Sequence, residues 1–138
     1  MSRRALDTLL KVAAEEEREL RYHQGIVLGQ QRRCLQRCGE LRGAVRRAAD
    51  DLPPQLHDQY QAYAAATEAR CRDLERRAAA LQETSETIRQ HLLTVYRRQH
   101  SYRFLQERET RRQRRLEARR LERLGDLVAL RRWREACV

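Results

Sequence analysis

The chain has very few of the residues that interrupt helices or fill thick cores. Asparagine is absent, proline occurs twice, and phenylalanine, tryptophan and methionine occur once each in 138 residues. Leu, Ile, Val and Phe together make up about a fifth of the sequence, close to the level at which globular cores no longer form. A thick core is therefore not expected.

Long apolar runs are missing as well, because every stretch of ten residues contains a charge or a helix breaker. A membrane-spanning helix needs about 20 mostly apolar residues, so no span is predicted. Asp7 and Lys11 interrupt the first apolar stretch and three glutamates follow, which argues against a secretory signal. Four scattered cysteines are too few for a disulfide framework, and we expect a cytosolic protein with free thiols.

Strong helix formers dominate instead, and apolar side chains recur every seven residues. The companion positions, four residues further on, are apolar at both ends and polar in the middle, at Glu17, Gln24 and Gln31. This pattern predicts a coiled-coil seam with a polar centre. The predicted seam residues of the two ladders are Leu6, Ala13, Leu20, Val27, Cys34 and Leu41, then Leu74, Leu81, Ile88 and Val95.

One place combines helix breakers with a change in composition, at Asp50-Asp51-Leu52-Pro53-Pro54. An Asp cap followed by proline predicts the start of a new helix. We therefore predict an all-α fold in which 1–138 form a single antiparallel coiled-coil hairpin. Helix one covers about 3–50, the turn about 51–54, and helix two about 54–134, overhanging from about Leu105. Pairing about residue 52 places Cys34 opposite Cys71.

Catalytic motifs are absent from the sequence. There is no glycine-rich phosphate loop, and the four histidines are not grouped with a nucleophile, so we expect no enzyme, no cofactor and no small-molecule substrate. Cys34, Cys38 and Cys71 offer three soft ligands at one level, whereas structural zinc almost always takes four. Thiols that fill the seam are the favoured interpretation.

The net charge of +10 comes from 29 arginines and one lysine against 20 acids, which implies acidic partners. Residues 108–123 contain eight arginines, so nucleic acid must be considered as a partner. Four glutamates interrupt this stretch and its flank, and no sustained leucine heptad follows. Both features argue against a phosphate-tracking surface, so an Arg-rich nucleic-acid binder is only the third alternative.

The chain resembles the FliJ family, the coiled-coil stalk proteins of the flagellar type III export apparatus. The resemblance covers about 5–130 and rests on three segments: Ala5-Leu6-Asp7-Thr8-Leu9 through Ala13-Ala14-Glu15, Tyr60-Gln61-x-Tyr63, and Leu105-Gln106-Glu107-Arg108. The proline turn and the Arg-rich stretch depart from the family pattern.

The resemblance implies a cytoplasmic stalk, similar to the γ subunit of rotary ATPases and peripheral at the inner membrane through the export apparatus. Its partners would be the hexameric export ATPase, the export-gate membrane protein and, in some members, export chaperones. Tyr63 matches a family aromatic that faces the gate, and Tyr60 lies beside it. Injectisomes use an equivalent stalk, and a generic coiled-coil adaptor or chaperone-escort protein is the other alternative.

Charge then predicts which residues face the acidic interior of an ATPase ring. They lie near the N-terminus and along the basic stretch of helix two. The predicted ATPase contacts are Arg3, Arg4, Arg108, Arg111, Arg112, Arg114, Arg115, Arg119, Arg120 and Arg123.

Overall fold

A computed structural model describes residues 2–137 and places almost all of them in two helices. Helix α1 spans Arg3–Asp50 and helix α2 spans His57–Ala136, with a short 3-10 turn at Pro54–Leu56 between them. No strand occurs in the described part of the chain. The predicted all-α fold is confirmed.

A serine caps the start of α1. The backbone N–H of Ala5 donates to Ser2 Oγ at 3.2 Å, and the N–H of Leu6 donates to the Ser2 carbonyl at 3.1 Å. The first N–H groups of a helix have no partner within the helix, and a serine side chain supplies one. This bond favours a helix that begins at Arg3.

The connection between the helices differs from the predicted Asp-capped turn. Pro53 has extended backbone, with φ −64° and ψ 144°, as expected for a residue that precedes a proline. The Leu56 N–H donates to the Pro53 carbonyl at 3.0 Å, and no side chain caps this turn. Asp50 ends α1 instead of capping the next helix. Consequently α2 begins at His57 rather than at 54.

The chain forms two compact units, each built from part of α1 and part of α2. Unit 1 comprises Met1–Glu15 and Tyr96–Val138, and unit 2 comprises Glu16–Val95. The two stretches of unit 1 come from the beginning of α1 and the end of α2.

Unit 2 has a narrow core, in which Leu92 and the predicted seam residue Val95 are buried together with smaller side chains. Cys34, Cys38, Cys71 and Ala78 are buried, and Leu20, Val27, Leu41, Leu74, Leu81 and Ile88 are half-buried. Partner numbers fall along α2 as they rise along α1: Gln31 bonds Gln82, and Arg42 bonds Glu68. This is the order expected of antiparallel helices.

The register in unit 2 corrects the predicted cysteine pair. The Cys71 thiol donates to the Cys38 carbonyl at 3.5 Å, and the Cys38 thiol lies 4.0 Å from the Cys71 carbonyl oxygen. Cys38, rather than Cys34, is therefore the residue against Cys71. Because residues 51–56 all lie outside the α-helices, the pairing is centred further along the chain than residue 52.

In unit 1, α1 covers α2 as far as Thr110. Leu6 and Ala13 of α1 are buried, Gln106 Nε2 donates to Asp7 Oδ1, and Glu109 and Thr110 are still half-buried. From 111 to 137 every residue is exposed. The covered part of α2 thus extends slightly beyond Leu105, where the overhang was predicted to begin.

Candidate functional site

The basic surface of unit 1 is the largest concentration of charge in the sequence. All the arginines predicted to contact an ATPase belong to this unit, and all of them are exposed. Those on α2 lie at or just beyond the point where α1 ceases to cover the helix. Their side chains are therefore not covered by α1.

Four of these arginines line one groove, which we call the basic groove. Its residues are Leu6, Leu105, Arg108, Glu109, Arg112, Arg115 and Arg119. The arginines are spaced four, three and four residues apart, and residues at such spacings share one face of an α-helix. They form a row along α2.

A second depression lies beside α1 in the same unit. It is lined by Arg3 of α1 and by Arg111 and Arg114 of α2, together with Gln106, Glu107 and Thr110. The N-terminal end of α1 and the Arg-rich part of α2 therefore line the same depression. Seven of the ten predicted arginines thus line one or other of these two depressions, and Arg4, Arg120 and Arg123 line neither.

One acid is engaged within the basic groove. Arg112 donates to both oxygens of Glu109, with Nη2–Oε1 at 2.9 Å and Nε–Oε2 at 3.1 Å. These hydrogen bonds lower the pKa of the Glu109 carboxyl and raise the pKa of Arg112. Gln113 Nε2 also donates to Glu109 Oε1, at 3.2 Å. Glu109 is thus held by its own helix and is less available to a partner.

The other three arginines of the basic groove have no such acid. Among residues 2–137, the side chains of Arg108, Arg115 and Arg119 make no hydrogen bond or ion pair. They carry three uncompensated charges in one row. The sequence alone shows the spacing of these arginines, but only side-chain geometry separates the paired from the unpaired ones.

Apolar side chains are also exposed along the uncovered part of α2. Leu105 is 36% exposed and Leu116 is 48% exposed, and their separation of eleven residues places them on the same face three turns apart. Further large apolar side chains follow toward the C-terminus: Leu121, Leu124, Leu127, Val128, Leu130 and Trp133. Exposed apolar side chains therefore accompany the arginines along the uncovered part of α2.

The two predicted gate-contact tyrosines lie in unit 2, near the start of α2. Tyr60 is half-buried. Tyr63 is 45% exposed, so its ring can meet a partner. Unit 2 therefore presents an aromatic group, whereas the arginine surface belongs to unit 1.

Sequence reasoning missed an ionic cluster in unit 2. Arg42 Nη2 lies 3.0 Å from Glu68 Oε1 and 2.6 Å from Glu75 Oε1. Hydrogen bonds from Arg42 lower the pKa of Glu68, and both acids raise the pKa of Arg42. The sequence signal for this cluster is the seven-residue spacing of Glu68 and Glu75, which flank the seam. Charged pairs at such flanking positions fix the register of coiled coils.

The thiols of unit 2 fit a packing role. Burial raises the pKa of the Cys38 thiol to about 11, helped by its hydrogen bond with Cys71, whereas metal ligation requires the thiolate. In the described chain no three His, Cys, Asp or Glu side chains are grouped to hold a metal ion. Cys34, Cys38 and Cys71 are free, buried cysteines.

Neither helix is apolar over a length that could cross a membrane, within residues 2–137. No family model, curated protein or solved structure matches the chain.

Proposed function

We propose that this chain is the central stalk of a bacterial type III protein export apparatus, flagellar rather than injectisome. In this role it inserts into the hexameric export ATPase, stimulates it, and contacts the export gate. The observation that carries the proposal is the exposed arginine surface of unit 1, which lies where α2 is no longer covered by α1. The resemblance of the sequence to the FliJ family supports the same role.

The arginine surface is suited to acidic protein surfaces. Arginine binds a carboxylate through two parallel N–H groups, and all but one of the basic residues of this chain are arginines. The surface is also asymmetric, because one groove holds Arg108, Arg115 and Arg119 and the other holds Arg3, Arg111 and Arg114. An asymmetric shaft in a six-membered ring contacts different subunits differently, which biases assembly and the order of hydrolysis.

The contact with the export gate is assigned to Tyr63, with Tyr60 beside it. An exposed aromatic ring can bury a large area in a partner at small entropic loss. Tyr63 is exposed on unit 2 and corresponds to the family position that faces the gate. The proposed role includes export chaperones as additional partners. It places the protein in the cytoplasm, peripheral to the inner membrane through the export apparatus.

The decisive experiment is to titrate the purified chain into the export ATPase of the same organism and measure ATP hydrolysis and hexamer formation. Stimulation at one chain per hexamer is the expected result. The control is Arg131→Gln, Arg132→Gln and Arg134→Gln, which removes three charges from α2 outside both grooves and should stimulate equally.

Two experimental results would contradict the stalk function and favour one of the alternative functions. A chain that binds export chaperones but leaves the ATPase rate unchanged would be an adaptor or chaperone-escort protein. A chain with high nucleic-acid affinity that falls steeply as salt rises would be an Arg-rich nucleic-acid binder.

A further inference from the structure

The unpaired arginines of the basic groove have a spacing that matches the repeat of an α-helix. Arg108, Arg115 and Arg119 lie seven and four residues apart on one face of α2. At about 1.5 Å per residue, the row is roughly 16 Å long. A partner α-helix that lies alongside α2 has the same number of residues per turn. Acidic side chains on one face of that partner helix can therefore contact all three arginines.

We propose that the basic groove binds an α-helix of a partner protein that carries acidic residues seven and four residues apart, beside an apolar stripe. This inference deepens the proposed stalk function, on which it rests for the source of the helix, the export ATPase. It assigns the groove a ligand chemistry: a helical row of carboxylates.

Apolar contacts of the groove fit the same ligand. Leu105 lines the groove, and Leu116 is exposed on the same face of α2 three turns further on. Leu6 lies at the groove and is only 1% exposed, so the floor is already packed. An amphipathic helix can place apolar side chains over Leu105 and Leu116 while its acids reach the arginines.

Charge argues against two other occupants. A second copy of the chain would bring another stretch with eight arginines and three glutamates in 108–123, and like charges repel. Duplex DNA carries one charge for about every 1.7 Å of its axis, far denser than a row of three arginines over roughly 16 Å.

The test uses the full chain and two synthetic amphipathic peptides of identical composition. The matched peptide carries three glutamates spaced to meet Arg108, Arg115 and Arg119, beside a leucine stripe. In the isomer the same glutamates are distributed around the helix. Fluorescence anisotropy near physiological salt should give roughly tenfold tighter binding of the matched peptide, as expected from three weak, cooperating ion pairs.

Three variants locate the effect. Arg108→Gln, Arg115→Gln and Arg119→Gln together should abolish the preference for the matched peptide, while Arg131→Gln, Arg132→Gln and Arg134→Gln should preserve it. Lysines at the three groove positions keep the charge but not the bidentate geometry, and most of the preference should disappear. Circular dichroism should show unchanged helicity, since Gln and Lys are good helix formers.

Equal affinity for the two peptides would overturn the inference, because binding would then depend on charge alone. Displacement of the matched peptide by an oligonucleotide of equal charge at lower concentration would also overturn it, in favour of nucleic acid. The two proposals fail separately. If the chain prefers the matched peptide but does not stimulate the ATPase, the stalk function is refuted and the helix-binding groove stands. If the chain stimulates the ATPase but binds both peptides equally, the helix-binding groove is refuted and the stalk function stands.

Discussion

At the residue scale, the Cys38 thiol makes stability depend on alkaline pH. Burial raises its pKa in the folded chain to about 11, above the ordinary 9.0, so folding favours the neutral thiol. Its contribution to stability is complete below about pH 9 and is lost as pH rises through 11. We expect urea unfolding to show a loss of stability between about pH 9 and pH 11 that is smaller in Cys38→Ala. Identical pH dependence in both proteins would contradict this assignment.

Gln24 and Gln31 are the residues at which the seam can be improved. Both are half-buried at seam positions, but Gln31 Nε2 donates to Gln82 Oε1 at 2.9 Å, whereas Gln24 has no partner among the described residues. Gln24→Leu should therefore raise the free energy of unfolding by about 1 kcal/mol through apolar burial.

Gln31→Leu is the matched comparison for that change. It gains similar apolar burial but removes the hydrogen bond to Gln82. The loss of this bond offsets about 0.5–1.5 kcal/mol of the gain in stability. Its gain should be smaller than that of Gln24→Leu, as measured by chemical denaturation. A loss of stability in Gln24→Leu would show that this side chain does not face the seam.

At the scale of the element, α1 carries glycines that no close approach requires. An added Cβ at Gly25, Gly29 or Gly39 would meet no atom within 4 Å, and none of these glycines has positive φ. Each change to Ala should raise the free energy of unfolding by about 0.5–1 kcal/mol.

Gly43→Ala serves as the control for the open glycines. Its Cβ would lie 3.3 Å from Arg47 Nη1, so Arg47 must move and the gain should be reduced. Thermal unfolding followed by circular dichroism compares the four variants. A lower midpoint for the three open positions would contradict this prediction, because the added Cβ would then disturb packing where the structure leaves open space.

The elements also show what sequence can and cannot predict. The ladders from Leu6 and Leu74 predicted the all-α fold because a seven-residue apolar period is a local signal. The partner of Cys71 was wrong because register depends on the length of the turn, and the backbone at Pro53 delays α2 to His57. Arg42 was missed since a charged residue beside a seam has many possible partners, and only side-chain geometry selects Glu68 and Glu75.

The same distinction applies to the candidate site. The Arg-rich stretch and its spacing can be read directly from the sequence. The pairing of Arg112 with Glu109 depends on rotamers, as does the resulting isolation of Arg108, Arg115 and Arg119. Sequence thus predicts a basic surface, and structure identifies which charges are available to bind.

At the scale of the whole molecule, the proposed stalk uses two surfaces that differ in chemistry. Unit 2 presents Tyr63, an exposed aromatic, and unit 1 presents the arginine grooves. If each surface serves its own partner, mutations in one should leave the other partner's binding intact. Coupling between ATPase and gate then requires both surfaces on one chain.

Substitutions in each surface should affect different partners. Tyr63→Ala removes an exposed ring and should weaken binding to the export gate by roughly tenfold, an effect typical of an aromatic contact, while ATPase stimulation stays near wild type. Replacement of Arg111, Arg112, Arg114 and Arg115 by Gln should abolish stimulation and spare the gate. Both proteins should remain helical, because Ala and Gln favour helices.

Gate binding, ATP hydrolysis and secretion, measured on both variants, decide between coupling and a single shared surface. Secretion should fall in both, since either break interrupts the connection between hydrolysis and export. Arg131→Gln, Arg132→Gln and Arg134→Gln should leave all three measurements unchanged, because these residues line neither groove. Equal partial losses in both binding assays for the Tyr63 and arginine variants would refute the two-surface mechanism, because one surface would then serve both partners.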